Sequence, residues 1–396
     1  MSNSSRPKAA IIGYGETPVS RGKKSRGEPQ LITEDYLAWA AKLTLEHASL
    51  TKEDLNNQGL AVFLPFHKAS VQFHMQVSEI LGLTSKYLTI GYGLALVRDA
   101  LNAVAAGVVD KVLILGGGST VASEPVPDDV DYSRKDFETA VAGMQGPNTH
   151  FAMVQRRHMQ DYGTKLEHLG KIATTQRYHA TLNPNAIFQS PLTLKDYLAS
   201  PLIADPMRLY DIVMRVNGGI GVIVASVEAA KKASRPPVYL IGSGECDNYY
   251  HEDMSRPDIT YMGIREAAKV ALKRANVSIR DLDFFEPYDD YSIAVLMQLE
   301  DMGFCEKGKG GKFVEETDLT VKGQLPLNTG GGQLSAGQVI SAASLVNLVE
   351  GIRQLMGEGG KRQVNGARIG AVTEIAGMNY GRNICNNVVG ILSNEA

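Results

Sequence analysis

Two kinds of hydrophobic pattern alternate along this 396-residue chain. Short apolar runs of strand length lead into stretches where apolar residues return every three or four positions, as on a helix with one buried face. Residues 10–17 form the first apolar run, and Leu37, Ala40 and Ala41 belong to the apolar face that follows. This alternation predicts layered α/β structure, with strands covered on both faces.

The same pattern occurs twice. Residues 32–55 align with residues 259–282 at an offset of 227 positions, with nine of 24 residues identical. A similar strand and turn precede each segment, AIIGYGET at 10–17 and YLIGSGEC at 239–246. Such self-similarity indicates two related halves.

Each half is expected to continue with a second strand, a helix of small residues and a third strand. The predicted ranges are 59–63, 94–106 and 112–115 in the first half, and 283–286, 340–355 and 368–372 in the second. The predicted boundary between the halves lies at residues 230 and 231, with a hinge at 231–237.

Residues 119–206 interrupt the alternation and predict an insertion in the first half, with helices over 149–162 and 166–180. Insertions of this size often carry substrate contacts, and a purely structural cover is the alternative. Residues 215–226 return to the sheet.

Composition narrows the class of protein. The chain is 44% hydrophobic and 21% charged, as in ordinary globular proteins, and its net charge of −3 gives no footprint for nucleic acid. It has no run of signal-peptide length and no span of about 18 apolar residues, which predicts a cytoplasmic protein without a membrane span. Its three cysteines, Cys246, Cys305 and Cys385, lack the spacing of a disulfide framework or zinc site, and no metal is expected.

Residues 325–338, LPLNTGGGQLSAGQ, are the most informative segment. Consecutive glycines at Gly330, Gly331 and Gly332 allow the backbone to approach a neighbour closely. A flexible surface loop is the alternative that the glycines alone leave open.

Together with RRHMQDYG at 156–163 and the segments 286–316 and 351–370, this loop resembles the thiolase superfamily over essentially the whole chain. The sequence is most similar to sterol-carrier-protein-x-type thiolases and their relatives, which include steroid side-chain aldolases and phloroglucinol acyltransferases. The resemblance implies a five-layer αβαβα fold of two duplicated halves with a loop-domain insertion. It also implies an acyl-CoA thioester as substrate and no covalently bound cofactor.

The resemblance fails at the catalytic positions. The family's nucleophilic cysteine, at the start of the first-half helix of small residues, corresponds to about Ile90, and no cysteine lies within 150 residues of it. Gln338 stands at the position of the catalytic histidine, and Thr373 or Glu374 at that of the acid/base cysteine.

Other polar residues can still support chemistry that needs no acyl-enzyme. Tyr288, in EPYDDY, stands where related aldolases have a tyrosine of acid/base type, and Asp289 and Asp290 either tune its phenol or cap the next helix. Gln338 is a candidate oxyanion donor. The loop residues predicted to accompany it are Asn328, Gly330, Gly331 and Gly332.

Two further residues have open roles. His67 is a hydrogen-bonding or proton-transfer candidate, because phloroglucinol acyltransferase-like members have a histidine at this position, and a structural histidine is the alternative. Tyr92 either fills the volume of the missing nucleophile or offers a second acid.

Two functions follow as hypotheses. The first is an enzyme that acts on carbon–carbon bonds of acyl-CoA, by retro-aldol or aldol cleavage of a β-hydroxyacyl-CoA. The second is a non-catalytic CoA-binding or partner-binding subunit of a heteromeric complex. The resemblance further implies a homodimer and a separate zinc-ribbon/OB-fold subunit. Arg156, Arg157, Lys171 and Arg177 are candidate contacts for CoA phosphates, and a solvated helix face is the alternative.

Overall fold

The structure of the protein is a computed structural model. It describes residues 7–63, 72–121, 141, 143, 146–247, 259–379 and 383–396. His67, a candidate from the sequence, lies outside the described residues.

Strands and helices alternate through both halves of the described chain. The strands are β1 Ala9–Glu16, β2 Gln58–Phe63, β3 Ser85–Gly91, β4 Lys111–Gly118, β5 Leu202–Ala204, β6 Met207–Arg208, β7 Gly218–Ser226, β8 Tyr239–Glu245, β9 Phe284–Glu286, β10 Ile369–Asn379 and β11 Asn383–Ser393. The helices are α1 Thr33–His47, α2 Phe73–Leu81, α3 Gly93–Ala105, α4 Gly146–Tyr162, α5 Leu166–Thr181, α6 Leu194–Ala199, α7 Val227–Ala230, α8 Ile264–Ala275, α9 Ser292–Met302, α10 Gly310–Glu316 and α11 Ala343–Met356.

The two main sheets repeat one topology. The first has the order β1-β7-β4-β2-β3 and the second β8-β11-β10-β9. In each sheet the first three strands pair antiparallel, and the third strand pairs parallel with the fourth. The counterpart of β3 in the second half is reduced to a single parallel bridge between Phe285 and Leu327. The duplication predicted from the sequence is therefore confirmed.

Five layers follow from the packing of helices on these sheets. Helices α3 and α11 contact each other between the sheets, where Val97, Leu101, Leu348 and Ile352 share one apolar core. Helix α1 covers the outer face of the first sheet, and α8 packs on β8 and β11 of the second. The loops that precede α3 and α11 therefore approach the same middle layer, where the candidate residues lie.

The sequence pattern located the main repeated elements but missed several others in both halves. Both insertion helices are present as α4 and α5, and the return to the sheet is β7. Among the elements missing from the prediction are α2 and β3 of the first half. Strand β3 is an edge strand whose residues are only partly buried, so it lacks the continuous apolar run of a central strand. The domain boundary at residues 230 and 231 stays a prediction.

Candidate active site

The loop at residues 325–338 is buried and rigidly held rather than a flexible surface loop. Asp289, itself fully buried, accepts hydrogen bonds from the backbone amides of Gln333 at 3.0 Å and Leu334 at 3.1 Å, and from the Asn347 side chain at 2.9 Å. Gly332 has a φ of 57°, and a Cβ there would lie 2.1 Å from an Asp289 carboxylate oxygen. Gly332 thus permits a close approach of loop to carboxylate.

A network of buried charged side chains also holds this loop in place. Thr329 donates to Glu286 at 2.6 Å and lies 3.2 Å from Glu350, whose carboxylate also meets Arg362 at 3.0 and 3.1 Å. Burial opposes ionisation of Glu350, but Arg353 and Arg362 outweigh it and hold its pKa at about 2. Burial, together with the charge on Glu350, raises the pKa of Glu286 well above its usual range.

Tyr288, Asp290 and Gln338 form a connected polar cluster at the end of the loop. The Gln338 side-chain amide donates a hydrogen bond to the Asp290 carboxylate, and the same carboxylate interacts with the Tyr288 phenol. Burial, and then the charge of Asp289, raises the pKa of Asp290 to about 7. Burial also holds the pKa of Tyr288 well above its usual range, with Asp290 and Glu374 contributing. Near neutral pH the phenol is therefore a proton donor, and Asp290 is poised between its two protonation states.

The backbone of Tyr288 is fixed by a closed hydrogen-bond ring. Its amide donates to the Thr373 hydroxyl at 3.1 Å, and its carbonyl accepts from the Gln298 side chain at 2.7 Å. The Thr373 hydroxyl in turn donates to the Gln298 side-chain oxygen. A movement of the Tyr288 backbone away from Asp290 would therefore break several hydrogen bonds.

Glu374 lies at the N-terminus of α3, although the two are 280 residues apart in the chain. Its carboxylate accepts a hydrogen bond from the Leu94 amide. Gly93 has a φ of 62°, and a Cβ there would lie 1.8 Å from both Glu374 carboxylate oxygens, so a larger residue would displace that carboxylate. Burial raises the pKa of Glu374 to about 7, with Glu245 and Asp247 adding to the rise.

The helix start predicted to carry the nucleophile is displaced from Ile90 in the structure. Ile90 lies within β3 and pairs with Val62, whereas Tyr92 is the N-cap of α3 and Gly93 its first residue. Tyr92 is 47% exposed, so it does not fill a buried volume, and that interpretation is wrong. A helix N-terminus lowers the pKa of a cysteine placed there, and in this protein the position faces a carboxylate.

The alternative role of Asp289 and Asp290 as helix caps is also wrong. Helix α9 begins at Ser292 with Tyr291 as its N-cap, which makes no side-chain capping hydrogen bond. Asp289 instead holds the glycine loop, and Asp290 accepts a hydrogen bond from Gln338 and interacts with Tyr288.

The residues predicted to stabilise an oxyanion differ in their hydrogen bonds. Asn328 accepts from the Gln176 side chain at 2.6 Å and donates to the Pro287 carbonyl at 2.8 Å, while the Gly331 amide donates to the Asn328 carbonyl. The Asn328 side chain therefore holds the loop. The role of the Gly330 and Gly332 amides stays a prediction.

Comparison with known proteins gives a consistent picture. Residues 245–392 match the family "Thiolase C-terminal domain-like". The chain is 32% identical over 354 residues to an acetyl-CoA acetyltransferase of Methanothermobacter thermautotrophicus, with 88% of this chain and 91% of the relative covered. The chain belongs to the thiolase superfamily.

Two further similarities point to one branch of the thiolase superfamily. A steroid side-chain-cleaving aldolase of Thermomonospora curvata is 30% identical over 365 residues, which cover 87% of this chain and 90% of the relative. The solved structure of an Ltp2-ChsH2(DUF35) aldolase superimposes with a TM-score of 0.83 and 27% identity over 98% of both chains. These findings confirm the predicted branch of sterol-carrier-protein-x-type thiolases and steroid side-chain aldolases.

Three residues of this thiolase-like site were not predicted from the sequence. Gln298 carried a usable signal, because a polar amide in the otherwise apolar stretch SIAVLMQL needs a buried partner. Gly93 and Arg215 carried none. Arg215 forms a parallel bridge with Gln338 and lowers the pKa of Asp290, and both relations depend on residues distant in the chain.

The four basic residues of the insertion that are candidate contacts for CoA phosphates divide into two kinds. Lys171 donates to the carbonyls of Glu315 and Thr317, and Arg177 stacks over Phe188, so both attach the insertion to protein groups. Arg156 and Arg157 are exposed and line a surface cavity of about 530 Å³, in which Arg156 pairs with Asp205. Only Arg156 and Arg157 remain candidates for CoA contacts.

The two cysteines whose side chains the structure describes have raised pKa values. Burial raises the pKa of Cys246, and it raises that of Cys305 to about 12, so neither thiol is activated. No group of three or more His, Cys, Asp and Glu residues arranged to hold a metal occurs among the residues described. Within the same residues, no helix has the length and apolar character needed to cross a membrane.

Glu374→Gln is expected to change the pH dependence of stability. The pKa of Glu374 rises from 4.5 to about 7 on folding, so the folded state binds more protons than the unfolded state between these values, and stability falls as pH rises through that window. Glutamine cannot ionise. The free energy of unfolding of the variant, relative to the unmodified protein, should therefore increase from pH 4.5 to 7, by at most roughly 3 kcal/mol. Urea unfolding at a series of pH values measures this, and a constant difference would contradict it.

Proposed function

We propose that this thiolase-superfamily protein cleaves the Cα–Cβ bond of a β-hydroxyacyl-CoA thioester by a retro-aldol reaction. The observation that carries the proposal is the Tyr288–Asp290–Gln338 cluster, which joins a protonated phenol to a carboxyl group with a pKa of about 7. Such a pair supplies acid/base chemistry near neutral pH without a covalent intermediate. The aldolase relatives support the same reaction type.

The reaction begins with the β-hydroxyl group of the substrate. Its proton passes to the Tyr288 oxygen as the phenol proton moves to ionised Asp290. The Cβ–O bond becomes a carbonyl, the Cα–Cβ bond breaks, and its electron pair forms the thioester enolate. Protonation of the enolate at Cα yields a shortened acyl-CoA. The second product is a ketone or aldehyde, and no free CoA is consumed.

The enolate needs stabilisation at its oxygen. The Gln338 side chain carries two N–H groups, of which one is directed to Asp290, and the other can donate to this oxygen. The backbone amides of Gly330 and Gly332 are proposed to join it. Removal of one such donor in other enzymes typically lowers kcat by about 10²–10³.

Acyl transfer through a cysteine is the less favoured reaction. The start of α3 carries Tyr92 and Gly93 and faces the Glu374 carboxylate, so it offers no thiolate to hold an acyl group. A degenerate, purely binding site is also less favoured, because Gln338 is hydrogen-bonded to Asp290 and the Tyr288 backbone is fixed by hydrogen bonds to Thr373 and Gln298.

The protein is also proposed to bind specific partners. An acyl-CoA is the substrate, and a separate zinc-ribbon/OB-fold subunit is expected, in keeping with the Ltp2-ChsH2(DUF35) aldolase. We also propose a homodimer formed through β3, which is the edge strand of the first sheet and is only partly buried. A cytoplasmic location belongs to the same proposal.

The purified protein is expected to cleave a β-hydroxyacyl-CoA in the complete absence of free CoA. A tertiary β-hydroxyl substrate with an aromatic or steroid-sized group serves as probe, and the shortened acyl-CoA is quantified by liquid chromatography and mass spectrometry. The assay is run with and without a zinc-ribbon/OB-fold subunit. Strict dependence of product formation on added CoA would show thiolysis instead and overturn the proposal.

A further inference from the structure

We infer that Arg215 is a positioning residue for the Tyr288–Asp290–Gln338 cluster: its guanidinium keeps Asp290 ionised, so that Asp290 can accept the phenol proton of Tyr288. This assignment rests on the proposed retro-aldol function. In that reaction only the ionised carboxylate can take up the phenol proton, whereas burial and the neighbouring charge of Asp289 favour the protonated form. A fixed positive charge beside Asp290 opposes both effects.

A short connecting segment, residues 212–216, joins the two parts of the chain that carry the cluster. The Val213 amide donates to the Asp290 carbonyl at 3.2 Å. The backbone of Gln338 makes two hydrogen bonds with the same segment, at 2.8 and 2.9 Å. The connecting segment therefore lies between Asp290 and Gln338 and is hydrogen-bonded to both.

The pairing of the connecting segment places three side chains on one face. Ile212 lies opposite Tyr291 in an antiparallel bridge, and Arg215 lies opposite Gln338 in a parallel one. Side chains alternate between the two faces of extended backbone, so Arg215 shares a face with Gln338 and, through the register of the antiparallel bridge, with Asp290. The hydrogen bond from the Gln338 side chain to the Asp290 carboxylate fits this arrangement.

From this position Arg215 is within reach of the Asp290 carboxylate. Diagonal neighbours in an antiparallel pair lie about 7–8 Å apart, a distance that a long side chain spans. The electrostatics agree: against the burial that raises the pKa values of Asp290 and Tyr291, the charge of Arg215 acts to lower both. Arg215 is exposed and Gln338 is buried, so the guanidinium approaches the cluster from the solvent side.

The groups around Asp290 leave its ionisation sensitive to one positive charge. The titratable groups that face the cluster are Tyr288, Asp289 and Tyr291 from its own segment, Glu374 from β10 and Arg215 from the connecting segment. The charge of Asp289 disfavours a second carboxylate beside it, and Gln338 offers a neutral hydrogen bond. Removal of Arg215 therefore shifts Asp290 toward its protonated form.

Arg215→Met should move the pH dependence of cleavage. In the unmodified protein, kcat/KM for a β-hydroxyacyl-CoA is expected to rise with pH through the pKa of Asp290, which is about 7. Without the guanidinium this midpoint should move upward by roughly 0.5–1 pH unit, a small shift because Arg215 is exposed. Activity lost near about pH 6 should be recovered above about pH 9, whereas a structural defect would lower the rate at every pH.

Two variants serve as controls for the shift in midpoint. Arg215→Lys keeps the positive charge and should restore most of the unmodified pH profile. Arg265→Met removes another exposed arginine, which lies over the Tyr261 ring at 5.1 Å and outside the cluster, and should leave the midpoint unchanged.

Urea unfolding tests the same charge without any substrate. The pKa of Asp290 is 3.8 in the unfolded chain and about 7 in the folded protein, so stability falls as pH rises through the folded value. Arg215→Met raises the folded pKa further. Its free energy of unfolding, relative to the unmodified protein, should be constant below about pH 6 and fall between about pH 6 and 8. In an Asp290→Asn background, this pH-dependent part should be absent.

An unchanged pH dependence of Arg215→Met in either measurement overturns the assignment and leaves the proposed cleavage standing. A loss of activity that is equal at every pH has the same meaning. If the unmodified protein cleaves no β-hydroxyacyl-CoA, the proposed function is refuted, and the unfolding series decides whether Arg215 keeps Asp290 ionised.

Discussion

Tyr288→Phe is expected to lower kcat/KM for cleavage of a β-hydroxyacyl-CoA by a factor of about 10²–10⁴. In the proposed reaction, the substitution removes the oxygen through which the substrate proton reaches Asp290. The hydrogen bonds of the Tyr288 backbone to Thr373 and Gln298 are unaffected, so the fold should survive. Steady-state rates of acyl-CoA formation measure the effect.

Tyr197→Phe provides a matched control for this loss. Tyr197 is also buried and donates to a buried carboxylate, Asp211, at 2.7 Å, but it lies in the insertion and outside the proposed acid/base cluster. The control should lose some stability and retain cleavage at its normal rate. Equal activity of Tyr288→Phe and the unmodified protein would remove Tyr288 from the mechanism.

Glu350→Ala is expected to destabilise the protein by about 3–5 kcal/mol, because it leaves a buried charge without its partner. Arg362 is 7% exposed and meets Glu350 through two hydrogen bonds, and Thr329 and Gln354 also contact this carboxylate. The loop that carries Gln338 should loosen as a result. Urea unfolding monitored by circular dichroism gives the change in free energy.

Two further variants test whether the unpaired Arg362 charge causes the loss of stability in Glu350→Ala. Glu46→Gln breaks an exposed pair with Lys42, and a change of no more than about 1 kcal/mol is expected. Replacing both Glu350 and Arg362 by methionine should recover part of the stability, since no unpaired Arg362 charge then remains buried. If the double variant is less stable than Glu350→Ala, the unpaired arginine is not the reason for the loss.

Local pattern was sufficient for most of the architecture. The duplication was visible because the same amphipathic helix and preceding strand recur 227 residues apart, and the two sheets show matching strand orders. Strand β3 was missed because an edge strand is only partly buried and lacks a continuous apolar run. The predicted nucleophile position, Ile90, lies within this strand, whereas α3 begins at Gly93.

The candidate site was predictable in part. Tyr288, Asp290 and Gln338 were selected from their positions in two segments, and the structure brings them together at the Asp290 carboxylate. The role of Asp289 as the anchor of the glycine loop was not predictable, because the amides that it binds lie more than 40 residues away. A local sequence pattern gives no information on such a partner.

The sequence by itself determined that this chain has the thiolase framework and that no cysteine occupies the first half, since both depend only on which residues are present and in what order. Only the tertiary structure decided what takes the place of that cysteine. Packing of β10 against α3 brings Glu374 to a helix N-terminus 280 residues earlier in the chain, and the missing Cβ of Gly93 makes room for it. Distances across the middle layer are fixed by the packing of both halves, and it is this packing that sets the charge and the proton chemistry of the site.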